Sequence, residues 1–198
     1  MIRVLIAAPL RQHPKIFREY QDSLDRLIIP DGVEVDRYFV VNDCPEVIPE
    51  IRGAAYDEVN SVNVTVYQDH LWTGELVSAM SVYRNMTIRR ALEGGYDYLF
   101  SADTDLVLEE HTLKQLMEDD KDCVAGMFWT NGWSNCWMFD QASENNLPEW
   151  QKPGLYRVGG TGALFLIKRK VLEAGGDYTP IPNLRKALSS ISRTTTPL

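Results

Sequence analysis

Apolar positions along the chain switch repeatedly between strand-like and helix-like spacing. Ile2-Arg3-Val4-Leu5-Ile6-Ala7-Ala8 is a nearly unbroken apolar run and predicts a first strand. Residues 14–28 carry Ile16, Phe17, Tyr20, Leu24, Leu27 and Ile28 at helical spacing. Pro14 suits a first helical turn, and Pro30-Asp31-Gly32 ends the segment. Residues 33–41 predict a second strand that stops at the turn Asn42-Asp43-Cys44-Pro45. Residues 62–67 predict a third strand, with Val62, Val64 and Val66 on one face. Thr73 then offers an N-cap for a long helix. Its stripe runs through Leu76, Val77, Met80, Tyr83, Thr87, Ile88, Ala91 and Leu92, and Gly94-Gly95 closes it. A strand over 96–102, a short helix around Leu113, Leu116 and Met117, and a strand over 122–128 follow.

Strands alternating with helices predict an α/β fold, a mostly parallel sheet flanked by helices. Residues 129–139 contain Trp129, Trp133 and Trp137, a spacing of four that suits a helix stripe or a core. Gly159-Gly160-Thr161-Gly162-Ala163 leads into the apolar run Leu164-Phe165-Leu166-Ile167. Residues 170–174 read as a short helix closed by Gly175-Gly176. With no internal repeat and no linker, residues 1–186 are expected to form one domain. Residues 187–198 are low in complexity and read as a loose tail, a candidate for non-native sequence.

Composition narrows the function classes. The 198 residues suffice for one full domain, and 44% hydrophobic with 24% charged residues is ordinary globular usage. A net charge of −8 argues against a nucleic-acid-binding surface. An anionic ligand remains compatible, because one divalent cation inverts the local field. No apolar run is long enough to span a membrane, and the first apolar stretch is too short for a signal peptide. Cys44, Cys123 and Cys136 are odd in number and lack metal-ligand spacing, which suits free thiols in a reducing cytoplasm.

The chemistry concentrates at Asp103-Thr104-Asp105, directly after the strand over 96–102. Carboxylates two residues apart share one side of an extended chain. At the carboxyl end of a parallel strand they face the crevice where open α/β sheets bind ligands. Paired carboxylates repel, so a hard cation with oxygen ligands, Mn2+ or Mg2+, would complete such a site. Aspartate and threonine are also ordinary turn residues, and a solvated turn is the competing interpretation.

The order of the pieces carries a resemblance. A first strand ends at Ala7-Ala8-Pro9 and a second at Asn42-Asp43. A helix bears Arg84-Asn85 and leads through Gly95-Tyr96-Asp97-Tyr98-Leu99-Phe100 into Asp103-Thr104-Asp105. A small-residue strand and a short helix ending in Gly-Gly follow. Over residues 2–180 this resembles nucleotide-sugar-dependent glycosyltransferases of the GT-A (Rossmann-like) fold, and is most similar to glycosyltransferase family 2. The resemblance implies a UDP- or GDP-linked sugar donor and a saccharide, lipid-linked or protein acceptor. It implies that Ala8 and Pro9 line the nucleoside pocket and that Asp43 accepts hydrogen bonds from base or ribose. Arg84 would reach a phosphate or the sugar, and Asn85 would orient the same region. Asp103 and Thr104 would lie at the ribose and the metal's water shell, with Asp103 and Asp105 as the metal carboxylates. Gly160 and Thr161 would let backbone approach the donor sugar. Trp129, Trp133 and Trp137 would offer stacking faces to an acceptor sugar.

The pattern departs from the family at its end. Family 2 enzymes carry their base in an acidic pair beyond the Gly-Gly segment. Here no aspartate or glutamate follows Asp177. Asp177 and Asp140 are the substitute candidates, and the chain reads as truncated or altered beyond its catalytic base. An inactive nucleotide-sugar or glycan-binding module is therefore the second expectation. A sugar nucleotidyltransferase is the third, disfavoured because Ala7-Ala8-Pro9-Leu10-Arg11-Gln12 lacks the glycine-rich loop that class carries.

Overall fold

The computed structural model describes residues 1–59, 75–130, 133–137 and 152–178; of residues 75–79, Thr130, Trp133 and Trp137 it describes the backbone only. The strand predicted over 62–67, the Thr73 cap, Asp140 and the tail over 187–198 lie outside the described residues.

The first strand, β1 (Ile2–Leu10), has every side chain from Val4 onward buried. Helix α1 (Pro14–Asp25) follows, with Pro14 at its start and the His13 side chain accepting from the Lys15 N–H. Strand β2 (Val33–Asn42) runs parallel to β1, and a 3₁₀ turn (Pro45–Glu50) connects it to β3 (Ala55–Val59), parallel to β2. Helix α2 (Glu75–Glu93) precedes β4 (Tyr98–Ala102), which is parallel to β1 on its other side. Next come α3 (Thr112–Glu118) and β5 (Cys123–Ala125). Three two-residue strands, β6 (Trp129–Thr130), β7 (Trp133–Ser134) and β8 (Cys136–Trp137), occupy the tryptophan-rich stretch. Strand β9 (Gly160–Thr161) pairs with β8, and β10 (Leu164–Lys168) leads into α4 (Arg169–Glu173).

The main sheet has the order β3-β2-β1-β4-β10-β5, and β10 alone runs against the others. Alternation along β1 divides the core in two. Val4, Ile6, Ala8 and Leu10 pack on one face with Phe17, Tyr20 and Leu24 of α1. Leu5 and Ala7 pack on the other with Tyr83, Ile88 and Ala91 of α2. Phe17 meets Phe39 edge to face at 5.2 Å, fixing α1 over β2. This is the mostly parallel, helix-flanked α/β sheet expected from the sequence.

The differences are local. Strand β3 was not signalled by the sequence, since four of its five residues are exposed and show no apolar alternation. The spacing of four between tryptophans is carried by antiparallel ribbons, β6 with β7 and β8 with β9, and among the described residues no helix runs there. Gly95 (φ +70°) turns the chain out of α2, and the Tyr96 N–H caps the Ala91 carbonyl at 3.1 Å. Among the described residues no helix is long and apolar enough to cross a membrane, and all three cysteines are free.

Phe17 is fully buried, whereas its neighbour Ile16 is 41% exposed. Phe17→Ala is expected to cost about 3–5 kcal/mol in urea denaturation, and Ile16→Ala under about 1 kcal/mol.

Candidate functional site

The carboxyl ends of β1, β2 and β4 open on one cavity of about 150 Å³. Its wall combines Pro9, Leu10, Arg11 and Gln12 after β1 with Asn42 of β2, Met80 and Tyr83 of α2, and Asp103, Thr104 and Asp105 after β4. Three parallel strands that end on one edge bring these distant segments together, as open α/β sheets do.

Asp103-Thr104-Asp105 does not continue the strand. The Leu106 N–H donates to the Asp103 carbonyl at 3.2 Å, so the motif closes a β-turn. Turn chemistry thus replaces the extended geometry inferred from the spacing, and the two carboxylates enter different surroundings. Asp103 is 29% exposed, and Arg84 Nη2 donates to its Oδ1 and Oδ2 at 2.8 and 3.0 Å. Its own N–H donates to the Ala163 carbonyl at 2.8 Å, where Ala163 holds a left-handed φ of +66°. Thr104 is buried. Asp105 is exposed and makes no hydrogen bond or ion pair among the described residues.

Burial pushes the Asp103 carboxyl above the ordinary aspartate range; Arg84 opposes the rise and Asp105 adds to it. The backbone beneath is tied by Tyr20, whose buried hydroxyl donates to the Ala102 carbonyl at 3.1 Å. Burial, together with the Asp103 charge, raises the Tyr20 hydroxyl well above its usual value, so it stays a proton donor. On the opposite wall, Asn42 Nδ2 donates to the Tyr83 hydroxyl at 2.8 Å and to Asp43 Oδ2 at 3.1 Å.

The remaining expected residues fall in three places. Pro9 lines the cavity, but Ala8 points the other way and is fully buried in the α1-side core. Asp43 is exposed at the end of β2 with φ +46°. Arg84 is 15% exposed against Asp103, and Asn85 Oδ1 accepts from the Tyr178 N–H at 2.8 Å. Gly160 and Thr161 line a separate cavity of about 660 Å³ beside β5, with Cys123, Cys136 and Tyr156. Asn135 links the two regions by donating to the Gly126 and Gly162 carbonyls at 3.0 Å. Trp129 is 42% exposed on β6, and Asp177 is exposed after α4. Asp140 and the side chains of Trp133 and Trp137 lie outside the described residues.

Arg11, Gln12, Asn42, Met80 and Tyr83 were not anticipated as cavity residues. Arg11 is exposed and forms no ion pair among the described residues. It supplies a cation to the cavity that the acidic turn lines. Its one advance signal was its place immediately after the first buried strand.

No family model matches the chain, and no curated protein matches it in sequence. Solved structures do match. One is the mannosyltransferase PcManGT from Pyrobaculum calidifontis in complex with GDP-Man and Mn2+, at 14% identity and a TM-score of 0.51, over 88% of this chain and 47% of that one. The fold is GT-A. TarS 1-349 from S. aureus is also similar, at 14% identity and a TM-score of 0.49, over 88% of this chain and 49% of that one. The chain spans about half the length of each. In the GT-A sheet described here, β4 carries the acidic turn and the antiparallel β10 begins beside it.

Because the folded Asp103 pKa is raised, its contribution to stability is full below the ordinary aspartate pKa and is lost as pH rises through the raised value. Arg84→Met removes the opposing cation, so an NMR titration of Asp103 is expected to move further up. The variant should lose about 1–3 kcal/mol at neutral pH by leaving Asp103 unpaired, and regain part of it as pH falls through that midpoint.

Proposed function

We propose that this chain is a glycosyltransferase domain that binds a nucleoside-diphosphate sugar, UDP- or GDP-linked, with Mn2+ or Mg2+, and passes the sugar to a hydroxyl acceptor. One observation carries the reading: an open carboxylate, Asp105, and an open cation, Arg11, line one cavity at the strand ends of a GT-A sheet. The likeness to a mannosyltransferase solved with GDP-Man and Mn2+ supports it.

The residues present suit a hard divalent cation. Among the described residues no three His, Cys, Asp or Glu side chains group to hold a metal alone. Asp105 would be its protein ligand, with diphosphate oxygens and water completing the shell. Asp103, already clamped by Arg84, would accept from the ribose or from metal-bound water. When bound, the metal supplies Lewis-acid stabilisation of the departing diphosphate. Arg11 would add a charge-assisted contact to the same group. Pro9 and Asp43 would border the nucleoside, and Gly160, Thr161 and the exposed Trp129 would face donor sugar and acceptor. Asp177 and Asp140 are the candidates for accepting the proton of the attacking hydroxyl. The domain would comprise residues 1–186, and the free thiols suit a reducing cytoplasm.

Thermal unfolding with GDP or UDP tests the donor site. At about a hundredfold excess over Kd, one nucleotide with Mn2+ is expected to raise the midpoint by about 5–10 °C, and by far less with a chelator. Asp105→Ala should remove the metal-dependent part; a shift that survives the substitution unchanged would refute the metal assignment. Incubation with labelled nucleotide sugars separates the two functional readings. Release of nucleoside diphosphate marks a transferase, and tight binding without release marks a binding module.

A further inference from the structure

The segment after α4 returns to Arg84 and Asn85 of α2, beside the acidic turn. The N–H groups of Gly175 (φ +93°) and Gly176 cap the Leu172 and Val171 carbonyls at 3.0 and 3.1 Å. A Cβ on Gly176 would stand 2.9 Å from the Val171 oxygen, so this turn has no room for a larger residue. The turn sends the chain back toward α2. There the Tyr178 N–H binds Asn85 Oδ1 at 2.8 Å, and the Tyr178 ring rests on Phe165 of β10 at 6.3 Å between centroids. The Arg84 guanidinium carbon lies 5.5 Å from the centre of the same ring.

Two groups therefore act on Arg84. Asp103 takes both of its hydrogen bonds from one nitrogen, Nη2, rather than in the two-nitrogen fork that fixes a guanidinium plane. Asp103 thus holds the guanidinium at one corner, and the Tyr178 hydroxyl is a second side-chain hydrogen-bonding partner of Arg84. The aromatic ring beneath the guanidinium further limits its freedom and adds a cation–π attraction. We propose that Tyr178 is a positioning residue, which orders Arg84 onto Asp103 and thereby sets the acidic turn for a metal-bound diphosphate. One residue engages both members of the Arg84-Asn85 pair, its amide holding Asn85 while its ring holds Arg84. The ordering of Arg84 is a property of the free protein, and its consequence for nucleotide rests on the proposed function.

Tyr178→Leu keeps apolar packing on Phe165 and removes both ring and hydroxyl, whereas Tyr178→Phe keeps the ring and removes only the hydroxyl that hydrogen-bonds Arg84. In 15N-labelled free protein, Tyr178→Leu is expected to speed hydrogen exchange and loosen the relaxation of the Arg84 side-chain N–H groups, with Tyr178→Phe between Tyr178→Leu and wild type. With Mn2+, affinity for whichever of GDP and UDP the wild type binds should fall about tenfold in Tyr178→Leu and by a smaller factor in Tyr178→Phe, which loses the hydroxyl alone. In an Arg84→Met background, Tyr178→Leu should have no further effect on affinity. Tyr178→Met serves the same comparison if the leucine variant does not fold. An Arg84 guanidinium as ordered in Tyr178→Leu as in wild type overturns the proposal. So does a full additive loss in the Arg84→Met background, which marks mere packing. If the wild type binds neither nucleotide with Mn2+, the proposed function fails, and the guanidinium measurement alone decides the role of Tyr178.

Discussion

From Val4 to Leu10, β1 has no exposed side chain, so both of its faces must be covered by other parts of the chain. A strand in that position cannot sit at a sheet edge. It takes β2 on one side and β4 on the other, with α1 over one face and α2 over the opposite one. Parallel neighbours then end on the same edge. The loop after β1, the end of β2 and the turn after β4 converge there because the middle strand is buried. The site is thus a consequence of core packing before it is a matter of chemistry.

Electrostatics refines what packing brings together. The chain carries −8 overall, yet two cations, Arg84 and Arg11, stand at the acidic site. Arg84 faces Asp103 from α2, and Arg11 lines the cavity from the β1 loop. Burial raises Asp103 while Arg84 restrains it, and Asp105 is left open to solvent. Two carboxylates that look equivalent in the sequence stand in different surroundings, one clamped by Arg84 and one exposed. The difference arises from a β-turn that rotates one inward and the other outward.

That turn also marks where sequence reasoning stopped. The position of Asp103-Thr104-Asp105 at a strand end was legible, because Tyr98–Ala102 is apolar and buried. Its shape was not, because period two holds only while the chain stays extended. Arg84 was legible through its order relative to the acidic motif. Arg11, Asn42 and Tyr83 were not, since their meeting depends on sheet order and no local pattern encodes it. Strand β3 escaped notice because an exposed edge has no need of apolar alternation. The ribbons that carry Trp129, Trp133 and Trp137 are two residues long, too short for any period to register.

The reversed direction of β10 has a further consequence, for the order in which the chain acquires its site. Since β10 runs antiparallel to β4, it begins where β4 ends, and Ala163 meets the Asp103 amide there. The sheet from β1 to β4 lies within the first part of the chain and among the described strands lacks β10 and, beyond it, β5. During synthesis from the N-terminus, the acidic turn would emerge with its inner carboxylate reachable by Arg84 but its backbone still unanchored. Maturation of the site therefore waits on a strand made long after the residues it serves.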